Sequence, residues 1–253
     1  MKTRKIALIT GGSRGLGKNA AIRLAEKGFD IILTYSTNSD AAQDVVTEIE
    51  GKGGKAVAMQ LNVEDVKSFD PFFQNVKNEL QRTFQTDKFD ALVNNAGYGI
   101  FSPIAEITEE QFDGLVNVHL KGTLFLTQKA LPFLNDSASI VNISTALTRF
   151  SHLGAGTYAS MKAAVETLSK YMALEFGQRN INVNTIAPGG IPTDFVGGAL
   201  RNNEAAQEHM KSQTAIPRLG QPDDIGSVVA FLCTDEAKWI NGQRIEVSGG
   251  MNL

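Results

Sequence analysis

The sequence predicts an α/β fold: a doubly wound parallel sheet of about seven strands with helices on both faces. Three observations carry this. Short apolar runs alternate with longer amphipathic segments along all 253 residues, the rhythm of strands joined by crossover helices. The runs are continuous rather than alternating, as in "DIILTY", which suits strands covered on both sides. Glycines stand where the first strand meets a helix and where helices end.

Each element follows in order. "KIALIT" is the first strand, and "GKNAAIRLAEKG" a helix closing at Gly28. "DIILTY" is the second strand and "SDAAQDVVTEIEGKGG" the second helix; "KAVAMQLNV" is the third strand. A charged helix is predicted over Glu64 to Thr86, the fourth strand and its turn in "DALVNNAG", and a long helix over Glu110 to Leu134. "ASIVNIS" is the fifth strand, Thr157 to Gln178 a helix, and "INVNTIAP" the sixth strand. "DDIGSVVAFLCT" is a late helix and "QRIEVSG" the last strand. No linker, repeat or low-complexity block divides the chain, so one domain is expected over residues 1–253. The Gly- and Pro-rich stretch at about 190–220 is long for a connection and is expected to be a lid over a site.

Composition excludes several classes. Apolar residues make up 42% and charged residues 20%, ordinary for a soluble globular protein. A net charge of −3 gives no electrostatic reason to expect nucleic acid or an anionic membrane as partner. The lone Cys233 forbids an intramolecular disulfide and sits in an apolar helical run as a buried thiol. The basic start "MKTRK" precedes an apolar run too short for a signal peptide, and no segment approaches a membrane span. A cytoplasmic location is the expectation.

The turn "TGGSRGLG" at 10–17 departs from the G-x-G-x-x-G spacing, yet its physics is the same. Gly11 permits a tight turn, Gly15 lets a phosphate approach the backbone, and Gly17 allows close helix packing. The positive end of the helix then faces a pyrophosphate. At the end of the second strand, where an enzyme favouring NAD usually carries a carboxylate, stand Tyr35, Ser36 and Thr37. Arg14 suits a 2′-phosphate. Together these favour NADP(H) over NAD(H).

"GTYASMKAAVETL" places Tyr158 and Lys162 four residues apart, on one helical face. A cation beside a phenol eases its ionisation; the same spacing also suits a Tyr packed over a Lys stem.

"TGGSRGLG", "NNAG" at 94–97, Ser144, "YASMK" at 158–162 and "PGGIPT" at 188–193 stand in the order and spacing of the short-chain dehydrogenase/reductases, which the chain resembles over nearly its whole length. The resemblance implies a Rossmann fold with NAD(P) across the carboxyl ends of the strands. It implies that Tyr158 is the general acid, that Lys162 binds the nicotinamide ribose and lowers the phenol's pKa, and that Ser144 hydrogen-bonds the carbonyl oxygen. It assigns Gly11, Ser13, Arg14, Gly15, Leu16 and Gly17, with Tyr35 and Ser36, to the nucleotide's phosphates and ribose. Asn62 and Val63 match an adenine-contacting pair, with Asn in place of the more usual Asp. Asn95, Ala96 and Gly97 line the adenosine side, and Pro188, Gly189, Ile191 and Thr193 surround the nicotinamide carboxamide. The family's fourth catalytic residue, an Asn acting through its backbone carbonyl, falls on His119; Asn117 is two residues early. A backbone carbonyl survives a change of side chain, so activity is expected to persist, with the imidazole either an additional titrating group or simply packed in a helix kink.

The chemistry agrees. Hydride reaching a carbonyl carbon leaves charge on oxygen, where a proton donor must stand. An ammonium at about 4 Å attracts a phenolate by roughly 4 kcal/mol before desolvation, enough to move its pKa by a unit or two. No metal is required, and no His/Cys cluster points to one. Residues expected to face the substrate are Tyr98, Ala146, Leu147, Phe150, His152, Leu153 and Phe195, mostly apolar. They favour a ketone or aldehyde with aliphatic or aromatic groups. The alternative is a 3-oxoacyl-carrier-protein reductase, for which the turn "LNDSAS" lacks basic residues and Arg179 alone remains. A second alternative is a nucleotide-binding regulator without chemistry. The resemblance also implies a homotetramer.

Overall fold

Strand β1 (Lys5–Ile9) lies between β2 (Phe29–Tyr35) and β4 (Phe89–Asn94), and that position sets the architecture. β3 (Ala56–Gln60) extends the sheet beyond β2, while β5 (Leu134–Ile143), β6 (Asn182–Pro188) and β7 (Arg244–Val247) extend it beyond β4. In the computed structural model, which describes residues 4–253, all seven strands are parallel, in the order β3-β2-β1-β4-β5-β6-β7. The chain winds one way from β1 and then the other, so a crevice opens at the carboxyl ends of β1 and β4.

The strands are apolar on both faces because both are covered. Ala7, Ile9, Ile31 and Leu33 pack against α1 (Gly15–Glu26), α2 (Ser39–Gly51) and α8 (Pro222–Leu232) through residues such as Leu24, Val45, Ile49, Ile225 and Val229. The alternate residues Ile6, Leu8, Ile32 and Leu92 pack against α3 (Phe69–Glu79), α5 (Gly122–Ala130) and α6 (Gly156–Phe176) through Phe69, Phe73, Leu126 and Met172. Cys233 is buried in the first of these cores.

Two helices differ from their sequence-based bounds. Over 64–86 the α-helix is only α3: the Asp65 carboxylate accepts from the Lys67 N–H and starts a 3₁₀ turn, and a π turn over Leu80–Phe84 ends the segment at Gln85, φ 58°. The predicted helix over Glu110–Leu134 is interrupted. It comprises α4 (Glu109–Leu115), a π turn over Val116–Lys121, α5, and a 3₁₀ turn at Leu131–Phe133 where Pro132 ends the run for want of an N–H. Leu134 already belongs to β5, whose pairing with β4 shifts register between Phe89 and Ala91. Over 190–220 the chain forms a short 3₁₀ turn at Phe195–Gly198 and α7 (Glu204–Ser212), then pairs Thr214 with Met251 near the C-terminus. No described helix is long and apolar enough to cross a membrane.

Candidate active site

The crevice is a cleft of about 800 Å³. Its floor begins at the glycine turn. Gly11 has φ +65° and Gly15 φ +55°, conformations that favour glycine. A Cβ on Gly17 would stand 2.2 Å from the Gly11 carbonyl oxygen, so helix α1 is seated directly on the turn. Gly17→Ala is therefore expected to lower the melting temperature by about 5 °C or more and to weaken nucleotide binding at least about tenfold, measured by thermal unfolding and cofactor fluorescence titration. The turn is tied to β4: Asn95 Nδ2 donates to the carbonyls of Thr10 (2.9 Å) and Gly11 (3.1 Å), while Thr10 Oγ1 accepts from the Asn95 and Ala96 N–H groups at 3.0 Å each. Asn95 thus shapes the turn through its side chain. Its neighbour Asn94 serves the sheet centre, bonding Thr127 and Asn142, which in turn donates to Ser169.

These residues fit a dinucleotide. Arg14, at the N-cap of α1, makes no side-chain cap, so the first N–H groups of the helix are left for a ligand. A Cβ on Gly15 would meet nothing nearer than 3.9 Å, which keeps the backbone open to a phosphate. No carboxylate stands among Tyr35, Ser36 and Thr37 at the cleft edge, and the Arg14 side chain is 75% exposed, 4.0 Å from Asp194. Asn62, Val63, Pro188, Gly189, Ile191 and Thr193 line the same cleft, with Thr193 beside Gly15.

Tyr158 and Lys162 rise from consecutive turns of α6 and are both buried. Lys162 Nζ donates to the Ile143 carbonyl at 2.7 Å and lies 5.9 Å from the centre of the Tyr158 ring. Burial lowers the lysine's pKa to about 7. Burial also pushes the Tyr158 phenol up, opposed by a hydrogen bond from Thr145. This departs from the sequence-based expectation of a phenol eased by its cation: desolvation dominates both groups, and the ammonium's bond is to backbone. The phenol therefore holds its proton, the state in which it serves as a donor. Ser144 is placed differently from the expectation too, because its hydroxyl donates to Glu166 Oε1 at 2.6 Å.

His119 sits in the π turn, 2% exposed, with its ring edge-on to Tyr158 at 5.2 Å. Its Nε2 is 2.6 Å from the Tyr98 carbonyl oxygen, which only accepts, so Nε2 carries the proton. Burial and the Lys162 charge hold its pKa well below the usual histidine value. The imidazole is neutral, which favours the packed histidine over the titrating one. Asn117 lies off the cleft, 3.5 Å from Lys121. The π turn, a property of the backbone, does not need the imidazole, and His119→Asn is expected to retain kcat within about tenfold of wild type in steady-state assays. A hundredfold loss would contradict this.

Aromatic rings wall the Tyr158 end. Phe195 lies 5.5 Å and Phe101 6.1 Å from the tyrosine ring, and His152 5.8 Å from Phe101. Tyr98, Ala146, Leu147 and Phe150 line the same region. Leu153, expected beside them, is 92% exposed and off the cleft: Gly154, φ +79°, turns the chain and leaves that side chain outside. Sequence reasoning missed Phe101, Thr145 and Glu166. Phe101 carried a legible signal, standing four residues past the end of "NNAG"; Glu166 did too, one turn after Lys162 on the same face.

A sequence model of the family described as Enoyl-(Acyl carrier protein) reductase matches residues 11–252. A 3-oxoacyl-[acyl-carrier-protein] reductase, FabG, of Staphylococcus aureus is 37% identical, with 100% of both chains covered. A hydroxynaphthalene reductase-like protein, Arp2, of Metarhizium brunneum is 35% identical over 97% of this chain and 94% of its own. Among solved structures, the angucycline C-6 ketoreductase LanV with bound NADP superposes with a TM-score of 0.93 at 33% identity, covering 98% of this chain and 95% of that one. The cleft, the paired Tyr158 and Lys162 and these relatives lead to one conclusion: the chain belongs to the short-chain dehydrogenase/reductase family of oxidoreductases.

Proposed function

We propose that the protein is an NADPH-dependent reductase acting on a ketone carried by an apolar, ring-bearing substrate. The observation that carries the substrate class is the set of rings around Tyr158, supplied by Phe101, His119 and Phe195, with His152 against Phe101. Such walls stack on flat apolar groups. Reduced nicotinamide, held by the cleft residues, would supply the hydride for the carbonyl carbon. Tyr158 delivers the proton to the oxygen, and Lys162 holds the ribose and offsets the developing phenolate. The segment over 190–220 contributes Ile191, Phe195, Leu200 and Met210 to the cleft and serves as its lid.

The second reading, a 3-oxoacyl-carrier-protein reductase, rests on the FabG relatives. It asks for a free basic rim. Arg179 instead bonds Asp136 at 2.8 Å and the carbonyls of Leu131 and Leu134, which anchors the start of β5. The two readings separate in an assay of NADPH consumption with aryl and fused-ring ketones against acetoacetyl thioesters. The ring ketones are expected to show kcat/KM at least about tenfold higher; the reverse order would adopt the second reading. In the same assay Arg14→Ala is expected to narrow the preference for NADPH over NADH.

The cytoplasm and a homotetramer complete the proposal. Exposed apolar side chains support subunit contacts: Tyr171 and Leu174 on α6, and Trp239, 100% exposed, before β7. Light scattering on the eluted protein tests the subunit number.

A further inference from the structure

We propose that Met251 is a specificity-determining residue for the ketone, held in the cleft by a C-terminal strap that Arg149 and Glu246 latch in place. After β7 the chain turns at Gly249 and Gly250, with φ +67° and +77°, in the left-handed region that glycine favours. The turn sends the last residues back along the end of the lid. The N–H groups of Ala215 and Ile216 donate to the carbonyls of Gly250 (3.2 Å) and Gly249 (2.9 Å), and the Asn252 N–H donates to the Gln213 carbonyl (2.8 Å). These bonds begin at the residue after α7, so the strap fixes the C-terminal end of the lid. Met251 is 5% exposed and lines the cleft together with Phe150 and the lid's Met210.

The latch is built from charge and geometry. Arg149 donates to both carboxylate oxygens of Glu246, at 2.8 and 2.7 Å, and to the carbonyls of Met251 and Asn252. Two-point pairing fixes the plane of the guanidinium, which aims its remaining N–H groups at the strap. Arg244 holds the same carboxylate at 3.0 Å. Ser248 Oγ donates to Glu246 at 2.7 Å and accepts from the Met251 N–H at 3.3 Å. The bond from Arg149, ahead of those from Ser248 and Arg244, holds the Glu246 carboxyl down at about 2, so the latch stays charged near neutral pH.

Topology places the strap away from the adenosine side. β7 is one edge of the sheet and β3 the other; Tyr35 and Asn62 stand at the ends of β2 and β3. The strap begins instead at the end of β6, where a Cβ on Gly189 would stand 2.8 Å from the Ser248 Cα. Arg149 and Phe150 belong to the loop that follows Ser144 and Thr145. The consequence lies in binding, because a thioether has no proton to give and moulds itself to apolar groups. A contact of that kind is the same in the ground and transition states, so its loss raises KM and spares kcat. Only a ketone long enough to extend from Tyr158 to the strap feels it. This consequence rests on the ketone-reduction reading, while the latch itself stands apart from it.

Two measurements test it. In steady-state assays with the largest and the smallest ketones that wild type reduces, Met251→Ala is expected to raise KM for the large ketone about tenfold and for the small one less than about twofold. Turnover number and NADPH affinity should stay within about threefold of wild type, and Met251→Leu should restore most of the lost KM. An equal effect on both ketones, an effect on kcat alone, or no effect would overturn the specificity role. The latch is read without activity, by mass spectrometry of methionine oxidation in dilute peroxide. Met251 and Met172, 5% and 4% exposed, are both shielded in wild type. Arg149→Gln is expected to speed oxidation of Met251 at least about tenfold and to leave Met172 protected, and Glu246→Gln to act in the same direction. Met251 still shielded in both variants, or Met172 exposed along with it, would overturn the latch. Should wild type reduce no carbonyl compound, the functional reading falls, and the oxidation pattern still decides whether Arg149 and Glu246 hold the strap.

Discussion

Replacing Tyr158 with Phe is expected to cut NADPH-dependent carbonyl reduction at least about a thousandfold while cofactor affinity stays within about threefold of wild type. The variant removes one oxygen from a buried ring whose packing against His119, Phe101 and Phe195 is untouched. The fold and the nucleotide end of the cleft therefore survive. What disappears is the proton donor at the point where charge develops. The neighbouring donors are directed elsewhere: Ser144 donates to Glu166, His119 to the Tyr98 carbonyl, and Lys162 spends one of its protons on the Ile143 carbonyl. Thr145, which hydrogen-bonds the phenol, carries an alcohol proton too poorly acidic to take its place, so the loss should approach the upper part of the range for general acid catalysis. Steady-state turnover and cofactor fluorescence titration on the same preparation separate the two effects. A residual rate within tenfold of wild type would mean that a water or the serine delivers the proton. The result also bears on the alternative of a regulator without chemistry, since such a protein would have no turnover to lose.

The strands were legible in the sequence because a parallel strand buried on both faces leaves a continuous apolar run, as in Ile31–Leu33, all fully buried. The glycine turn was legible because its conformations exclude side chains at Gly11 and Gly15. Helical spacing put Tyr158 and Lys162 on one face, and the other motifs in register with them gave the pair its role. The π turn over Val116–Lys121 was not legible: it ends where Gly122 lies against the Val63 carbonyl, a Cβ there standing 2.5 Å away, and that contact joins segments distant in sequence. Leu153 was misplaced for a similar reason, since whether a loop side chain faces the cleft is set by Gly154 turning over Phe101. The titration behaviour of Tyr158 and Lys162 was also hidden. Spacing shows which groups are near each other, while desolvation depends on everything packed around them.

Lys162→Met is expected to abolish useful turnover, by about a thousandfold, and yet to stabilise the fold below neutral pH. The lysine is buried, and burial brings its pKa from 10.5 to about 7. A base whose folded-state pKa is depressed costs stability wherever it must be charged in the fold or the unfolded chain binds a proton the fold does not. That cost is complete below about pH 7 and fades as pH rises toward 10.5, where the group is neutral in both states. Methionine fills a similar volume with no charge to desolvate. The gain, on the order of a few kcal/mol, is offset by about 1 kcal/mol for the lost hydrogen bond to the Ile143 carbonyl. Net stabilisation should appear at pH 6 and vanish near pH 10, read by urea unfolding at both values. A variant no more stable than wild type at pH 6 would show that the folded cleft compensates the ammonium in full. The expected outcome assigns Lys162 a standing cost that the fold bears for the sake of a charge beside Tyr158, tolerable because the two apolar cores on either side of the sheet are extensive.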